Sequence, residues 1–272
     1  MSDDSIALTE HRFLDETGDS TFYGKGRKLI VGENGVSLSF GMGIVRIDRP
    51  LAEVRKEVQA LQQQVEQDEL LNPLPSVLKR IAKGGFFFHA CKDTPDVRSV
   101  FLRYLRELPC EAEVVIARKI PALFEKQHCG REDEFYADLL SHLIKRRVKR
   151  SGTLVLNVAE RGSSTREKML AQALDLAIDR AKKRWGSEGA RRRVVFNVQT
   201  PLSEPLLTVA DYICWAVQRV FEQGDVRHYN YLASKIRLVV DLYDRDKYPG
   251  YRNYYDKRNP LKAENKLGPR LT

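Results

Sequence analysis

Three carboxylates stand close together near the start of the chain, in Arg12-Phe13-Leu14-Asp15-Glu16-Thr17-Gly18-Asp19. Asp and Glu are poor strand formers, and two of them at the end of an apolar lead-in repel each other unless solvent or a cation lies between them. Asp211 is a second signal, in Val209-Ala210-Asp211-Tyr212-Ile213-Cys214-Trp215-Ala216-Val217. That helix is apolar almost all round and is expected to be buried. It opens near Pro205, which puts Asp211 too far inside to cap the first turn. A buried carboxylate with no partner costs several kcal/mol or becomes neutral. A buried Arg, a backbone donor or a metal ion would each compensate it. Glu160 ends the apolar run Leu154-Val155-Leu156-Asn157-Val158-Ala159. Functional groups gather at the carboxyl ends of strands in open sheets, and pairing with Arg161 or solvent is the plainer alternative. His89 follows Phe86-Phe87-Phe88, with Lys92 and Asp93 close behind. It suits either a hydrogen-bonded structural role or proton transfer and phosphate contact.

Together these residues define a chemistry. Asp15 at the end of a first strand, Glu160 at the end of a central one and Asp211 on a late helix form a set that can hold two divalent ions about 4 Å apart. One ion activates water and the other stabilises the leaving oxygen of a phosphodiester. Hard oxygen ligands select Mg²⁺ or Mn²⁺. In a regular strand Glu16 faces away from Asp15, so it joins the set, as a fourth ligand or by orienting one, only if the strand has turned before Thr17-Gly18. Asp19 is expected to be a solvated loop residue. Other chemistries lack their motifs: there is no phosphate loop, no nucleophile elbow and no H-E-x-x-H. Gly24-Lys25-Gly26 and Gly41-Met42-Gly43 lack the third glycine of a dinucleotide fingerprint.

The elements that must position these groups are legible from periodicity. After the first strand, Leu29 to Gly32 and Val36 to Ile47 read as strands joined by Glu33-Asn34-Gly35, a hairpin signal. Pro50 opens an amphipathic helix with Leu51, Val54, Val58, Leu61 and Val65 on one face, and Val77 to Ala82 is a further helical turn. Strands and helices then alternate. Phe86–Ala90, Ala112–Ala117, Leu154–Ala159 and Arg193–Gln199 read as strands, the last as the final core strand. Val97–Leu108 with Asp96 as N-cap, Glu132–Arg150, Thr165–Trp185 and Pro205–Gln223 read as helices, and Ile236–Leu242 as an edge strand. An antiparallel meander followed by βαβα units predicts an α/β fold with a mixed sheet flanked by helices.

The chain has 272 residues, enough for one large domain or one domain with an appendage. The reading is a single domain over 1–242, with a helical insertion at about 50–82. A tail over 243–272, rich in Tyr and basic residues, packs on the domain or contacts a partner. Lys and Arg exceed Asp and Glu by 46 to 37, a net charge of +9, compatible with a polyanionic partner such as nucleic acid. Lys145-Arg146-Arg147 with Lys149-Arg150, Lys182-Lys183-Arg184 and Arg191-Arg192-Arg193 are candidate phosphate guides or solvated helix ends. Cys91, Cys110, Cys129 and Cys214 show neither zinc spacing nor a C-x-x-C pair, so a reduced, cytoplasmic protein is expected. Met1-Ser2-Asp3-Asp4 is not a secretory leader, and no run is long enough to cross a bilayer, so no membrane partner is expected.

The motifs also resemble a known family, the domain of unknown function 3800 family of bacteria and their phages. Phe13-Leu14-Asp15-Glu16-Thr17-Gly18 resembles its opening "DE-small-Gly" motif, with Thr17 where Ser is common. Phe88-His89-Ala90 resembles its "FHA" motif, and Thr208–Ala216 its "ADY" helix. Tyr254-Tyr255 to Asn259-Pro260-Leu261 resembles its closing segment. The family is similar to ribonuclease-H-like folds, in which an Asp on the first strand and an Asp on a late helix bind metal. The resemblance implies metal binding by Asp15 and Asp211; it matches Glu16 and His89 by motif and Glu160 by position only. The expectation is a ribonuclease-H-like nuclease using Asp15, Glu16, His89, Glu160 and Asp211, with Mg²⁺ or Mn²⁺ on Asp15, Glu160 and Asp211. The association of some members with mobile elements and phage defence points to an effector there. The alternative is an inactive scaffold that binds nucleic acid or protein in a defence complex.

Overall fold

A computed structural model of the chain describes residues 9–33, 35–148, 151–160, 166–185 and 193–268. The strands are β1 (Thr9–Gly18), β2 (Ser39–Ile47), β3 (Cys110–Arg118), β4 (Thr153–Ala159), β5 (Arg193–Gln199), β6 (Ile236–Asp241) and β7 (Tyr254–Tyr255). The helices are α1 (Leu51–Gln67), α2 (Pro75–Ile81), α3 (Pro95–Glu107), α4 (Pro121–His128), α5 (Glu132–Ile144), α6 (Arg166–Trp185), α7 (Leu207–Gln223) and α8 (Arg227–Leu232). The strands form one mixed sheet in the order β5-β4-β1-β2-β3-β6-β7. β2 is antiparallel to β1 and β3, whereas β1, β4 and β5 run parallel, as do β3 and β6. The expected α/β class with a mixed sheet flanked by helices is therefore present.

Period-2 alternation divides the core into two layers. Phe13, Val45, Val114 and Ile116 face α1, α3, α7 and α8. Leu14, Met42, Ile44, Val115 and Ala117 face α4, α5 and α6. β1 lies inside the sheet with helices over both faces, so its apolar residues Phe13 and Leu14 are fully buried.

Some expectations change. Phe86–Ala90 is not a strand. It is an extended segment outside the sheet, and its burial comes from wedging Phe86 and Phe88 among the residues of α2, α3 and α7. Leu29–Gly32 forms no strand either; Leu29 makes a single bridge with Tyr23. The loop after it contains Asn34, which lies outside the described residues. Thr94, not Asp96, caps α3, its hydroxyl accepting from the Val97 amide. β5 is an edge strand with partly exposed residues rather than a core strand. β6 is not the edge, because the tail contributes β7 beyond it. Tyr255, Leu261 and Leu267 of the tail are buried in the α7-side layer. Among the described residues, no helix is long and apolar enough to cross a membrane.

Gly41 and Gly43 lie on the α7 side of β2, where neighbouring atoms leave no room for a side chain. A Cβ on Gly43 would stand 2.3 Å from Cys214 Sγ, and one on Gly41 would stand 2.4 Å from Ile116 Cδ1. The Gly-Met-Gly run is thus a packing device. Gly43→Ala is expected to lower stability by about 1–3 kcal/mol through overpacking. Cys214→Ala added to it should restore most of that loss, a coupling read by urea unfolding of both single variants and the pair.

Candidate functional site

The carboxyl ends of β1 and β4 open onto a cleft of about 860 Å³ on the α7 side of the sheet. Asp15, Glu16, His89, Glu160 and Asp211 all border it. Each arrives on a different kind of element. Asp15 shares the sheet face of Phe13, two residues before it, and so points toward α7. Glu160 follows the last residue of β4, exposed, with its amide bonded to the Gln199 carbonyl of β5. Asp211, Trp215, Gln218 and Glu222 recur at helical spacing along α7 and line the cleft together.

Asp211 meets a backbone donor rather than a buried Arg. Its Oδ2 accepts from the Ala90 amide at 2.7 Å and stands 3.6 Å from His89 Nδ1. Burial pushes the Asp211 carboxyl above the usual carboxylate range, against the pull of the Ala90 amide. Burial, with Lys92 and Arg80 nearby, pushes His89 down to about 4. The imidazole is therefore neutral at neutral pH, and its contact with Asp211 is not an ion pair there. His89 Nδ1 is buried and has no hydrogen-bond partner among the described residues.

The turn that carries His89 is held by a second set of residues. Asp93 is fully buried. It accepts from Arg80 at 2.5 Å, from the His89 amide at 2.8 Å and from the Tyr212 hydroxyl at 2.5 Å. Arg80 also donates to the Phe87 carbonyl, and Arg98 to the Ala90 carbonyl. Neighbouring residues of α7, Asp211 and Tyr212, thus clamp the same turn from two directions. Sequence reasoning did not assign Arg80, Asp93 or Tyr212, whose pairing leaves no spacing signature. Trp215, Gln218 and Glu222 were legible in principle, from the helical interval after Asp211.

Glu16 stays in a regular strand, paired with Met42, and its carboxylate accepts from the Tyr136 hydroxyl of α5 at 2.8 Å. It is therefore tied to the opposite face of the sheet from Asp15. The condition set for its joining Asp15, an early turn of the strand, is not met, because β1 runs on to Gly18. Asp19 is not a solvated bystander. It accepts from Lys119 Nζ at 2.8 Å and from the Ser37 amide at 2.9 Å, which hold its carboxyl below the usual range despite burial. Cys214 lies beneath Asp15, its thiol directed at the Asp15 carbonyl at 3.6 Å. Burial, with the charges of Asp15, Asp211 and Glu16, pushes that thiol well above its ordinary pKa. Asp15 and Asp211 therefore act on one buried sulfur, although they lie far apart in sequence.

The donor set is one of hard oxygens, which suits Mg²⁺ or Mn²⁺. Among the described residues, no three side chains of His, Cys, Asp and Glu are gathered into a group that could hold a metal ion. Among the described residues the cleft's cations are Lys92, which is exposed, and Arg219, which is paired with Asp225 at 2.8 Å. Of the basic clusters, Arg146 is exposed and Arg147 is buried against Glu113 at 3.0 Å. Lys149, Arg150, Arg161, Arg191 and Arg192 lie outside the described residues, as do residues 1–8. All four cysteines are free. Neither a protein-family model nor a curated protein matches the chain.

Proposed function

We propose that the cleft is a divalent-metal-dependent phosphodiesterase site, acting on nucleic acid in a ribonuclease-H-like sheet as the domain of unknown function 3800 resemblance implies. One observation carries the reading: Asp15, Glu160 and Asp211, on three separate segments, open onto one cleft at the carboxyl ends of parallel strands. The buried His89 Nδ1 beside Asp211, without a hydrogen-bond partner among the described residues, is a second polar group awaiting a ligand or a proton. Asp15, Glu160 and Asp211 would hold Mg²⁺ or Mn²⁺, which when bound supplies an activated water and charge stabilisation for the leaving oxygen. The chain's own contribution is positional. The Ala90 amide fixes the Asp211 carboxylate, and the clamp through Asp93 sets the height of the His89 ring. A neutral His89 can accept a proton at Nδ1 during cleavage. Lys92, at the cleft wall, can hold a phosphate oxygen. Glu16, tied to Tyr136, contributes charge beneath the site rather than a ligand.

Purified protein incubated with single- and double-stranded RNA and DNA should release products in Mg²⁺ or Mn²⁺ and none in excess EDTA. The second reading is a catalytically inactive scaffold in a defence complex. It is favoured by the lack of a closed metal-ligand group among the described residues. Binding of an oligonucleotide with no cleavage under either metal would decide for it.

A further inference from the structure

Among the described residues the cleft carries few cations, whereas the chain has a net charge of +9, so other surfaces can attract a polyanion. The opposite face of the sheet provides one. Between α4, α5, α6 and the end of β6 lies a cavity of about 580 Å³, bordered by Arg245 and Tyr248. His142 and Leu242 line both this cavity and a smaller depression beside Arg146 and Tyr254, so the two form one continuous surface. Arg146 and Arg245 are exposed and pair with no carboxylate among the described residues. Acids around them have other partners: Asp138 accepts from Tyr243 at 2.7 Å and from Arg180, Glu134 pairs with Arg131, Glu113 with Arg147 at 3.0 Å and Asp244 with Lys247 at 3.0 Å, while Asp246 is exposed beside Arg245.

The same surface leaves large aromatic rings in solvent. Tyr248 is 45% exposed and Tyr251 68% exposed. These rings are positioned rather than loose. The Tyr248 hydroxyl donates to the Leu242 carbonyl. Tyr251 adopts a φ of +56°, a left-handed conformation uncommon for a non-glycine residue, and packs edge-on to Tyr254 at 5.5 Å. Fixed rings with open faces beside unpaired guanidinium groups match what a single-stranded nucleic acid needs: a platform for bases and charge for the phosphates between them.

We infer that this face, formed by Arg146, Arg245, Tyr248 and Tyr251, is a binding surface for single-stranded nucleic acid. The inference rests on nucleic acid as the partner and not on the chemistry of the cleft. The cleft opens at β1 and β4 and the surface lies beside β6 and β7, on the other face of the sheet, so a strand held on the surface does not enter the cleft.

The test is fluorescence anisotropy of the full chain with a labelled twelve-nucleotide single strand in EDTA, where cleavage is blocked. Tyr248→Ala with Tyr251→Ala should weaken binding about tenfold or more, and the Phe replacements should retain it. Arg146→Ala with Arg245→Ala should lower the slope of log affinity against log salt by about 1.4, corresponding to two single-strand phosphates. Unchanged binding in both pairs overturns the inference. So does a length-matched duplex that binds as tightly and ignores the tyrosines, or competition by polyglutamate as strong as that by the oligonucleotide, which would mark an acidic protein partner instead. Cleavage of a dinucleotide, too short to reach this surface, should be unaffected by all four substitutions. Binding without any cleavage would leave this surface standing and remove the reading of the cleft; cleavage with unaltered binding in the variants would do the reverse.

Discussion

Asp15→Asn and Asp211→Asn should each lower Mg²⁺- or Mn²⁺-dependent cleavage about a thousandfold or more, equivalent to roughly 4 kcal/mol of barrier, with the melting temperature held within a few degrees. The separation of the two readouts follows from geometry. An Asn at 211 keeps an amide oxygen to accept from the Ala90 amide, and an Asn at 15 keeps one for the Glu16 amide that now donates to Asp15 Oδ1 at 2.7 Å. Only the negative charge is removed. Titration calorimetry with Mn²⁺ gives a readout independent of turnover, and both variants should lose most of the binding heat. Wild-type cleavage in either variant sinks the assignment. A large fall in melting temperature for Asp211→Asn would identify Asp211 as a fastener of the Ala90 turn in the first place.

The largest loss of stability is expected at Arg80. Replacement by Ala leaves Asp93, fully buried and bonded to Tyr212 and the His89 amide, without its countercharge. Removing one partner of a buried pair costs about 3–5 kcal/mol, which for a chain of this size corresponds to roughly 10 °C in melting temperature. Burial already pushes the Asp93 carboxyl above its usual range even with Arg80 present. Without Arg80 the carboxyl gains further reason to be neutral, and the variant should be most destabilised at high pH, where protonation is hardest. The sign follows from linkage: an acid whose folded pKa is raised loses stability as pH rises toward that pKa. Asp93→Asn added to Arg80→Ala should recover part of the loss and flatten the pH dependence. Equal destabilisation at pH 5 and pH 9 would show that the charge of Asp93 is not what Arg80 offsets.

What could be read from the sequence, and what could not, divides along physical lines. Long amphipathic helices such as α1 and α7 repeat their apolar residues often enough to declare themselves, and β4 reads as a strand because both of its faces are covered. The short run Phe86–Ala90 gives no period, and an apolar pentapeptide wedged between helices looks like one in a sheet. α4 was missed because eight residues with little contrast between faces carry no helical signature. At the site, Asp15, Glu160 and Asp211 were visible because a carboxylate at a strand end or in an apolar helix requires an explanation. The roles of Glu16 and Asp19 were not, because they depend on Tyr136 and Lys119, residues about a hundred positions away with no motif linking them.

The placement of β1 has a consequence for synthesis. It precedes every other described strand in the chain and lies inside the sheet, pairing with β2 on one side and with β4, more than a hundred residues later, on the other. Contacts of such sequence separation form slowly, because a long loop must close first. Asp211 follows later still, on the helix that roofs β1 and β2. A growing chain therefore carries Asp15 and His89 for most of its translation with nothing opposite them. The cleft comes into being only once α7 has left the ribosome, so truncated products ending before residue 207 should lack the site altogether.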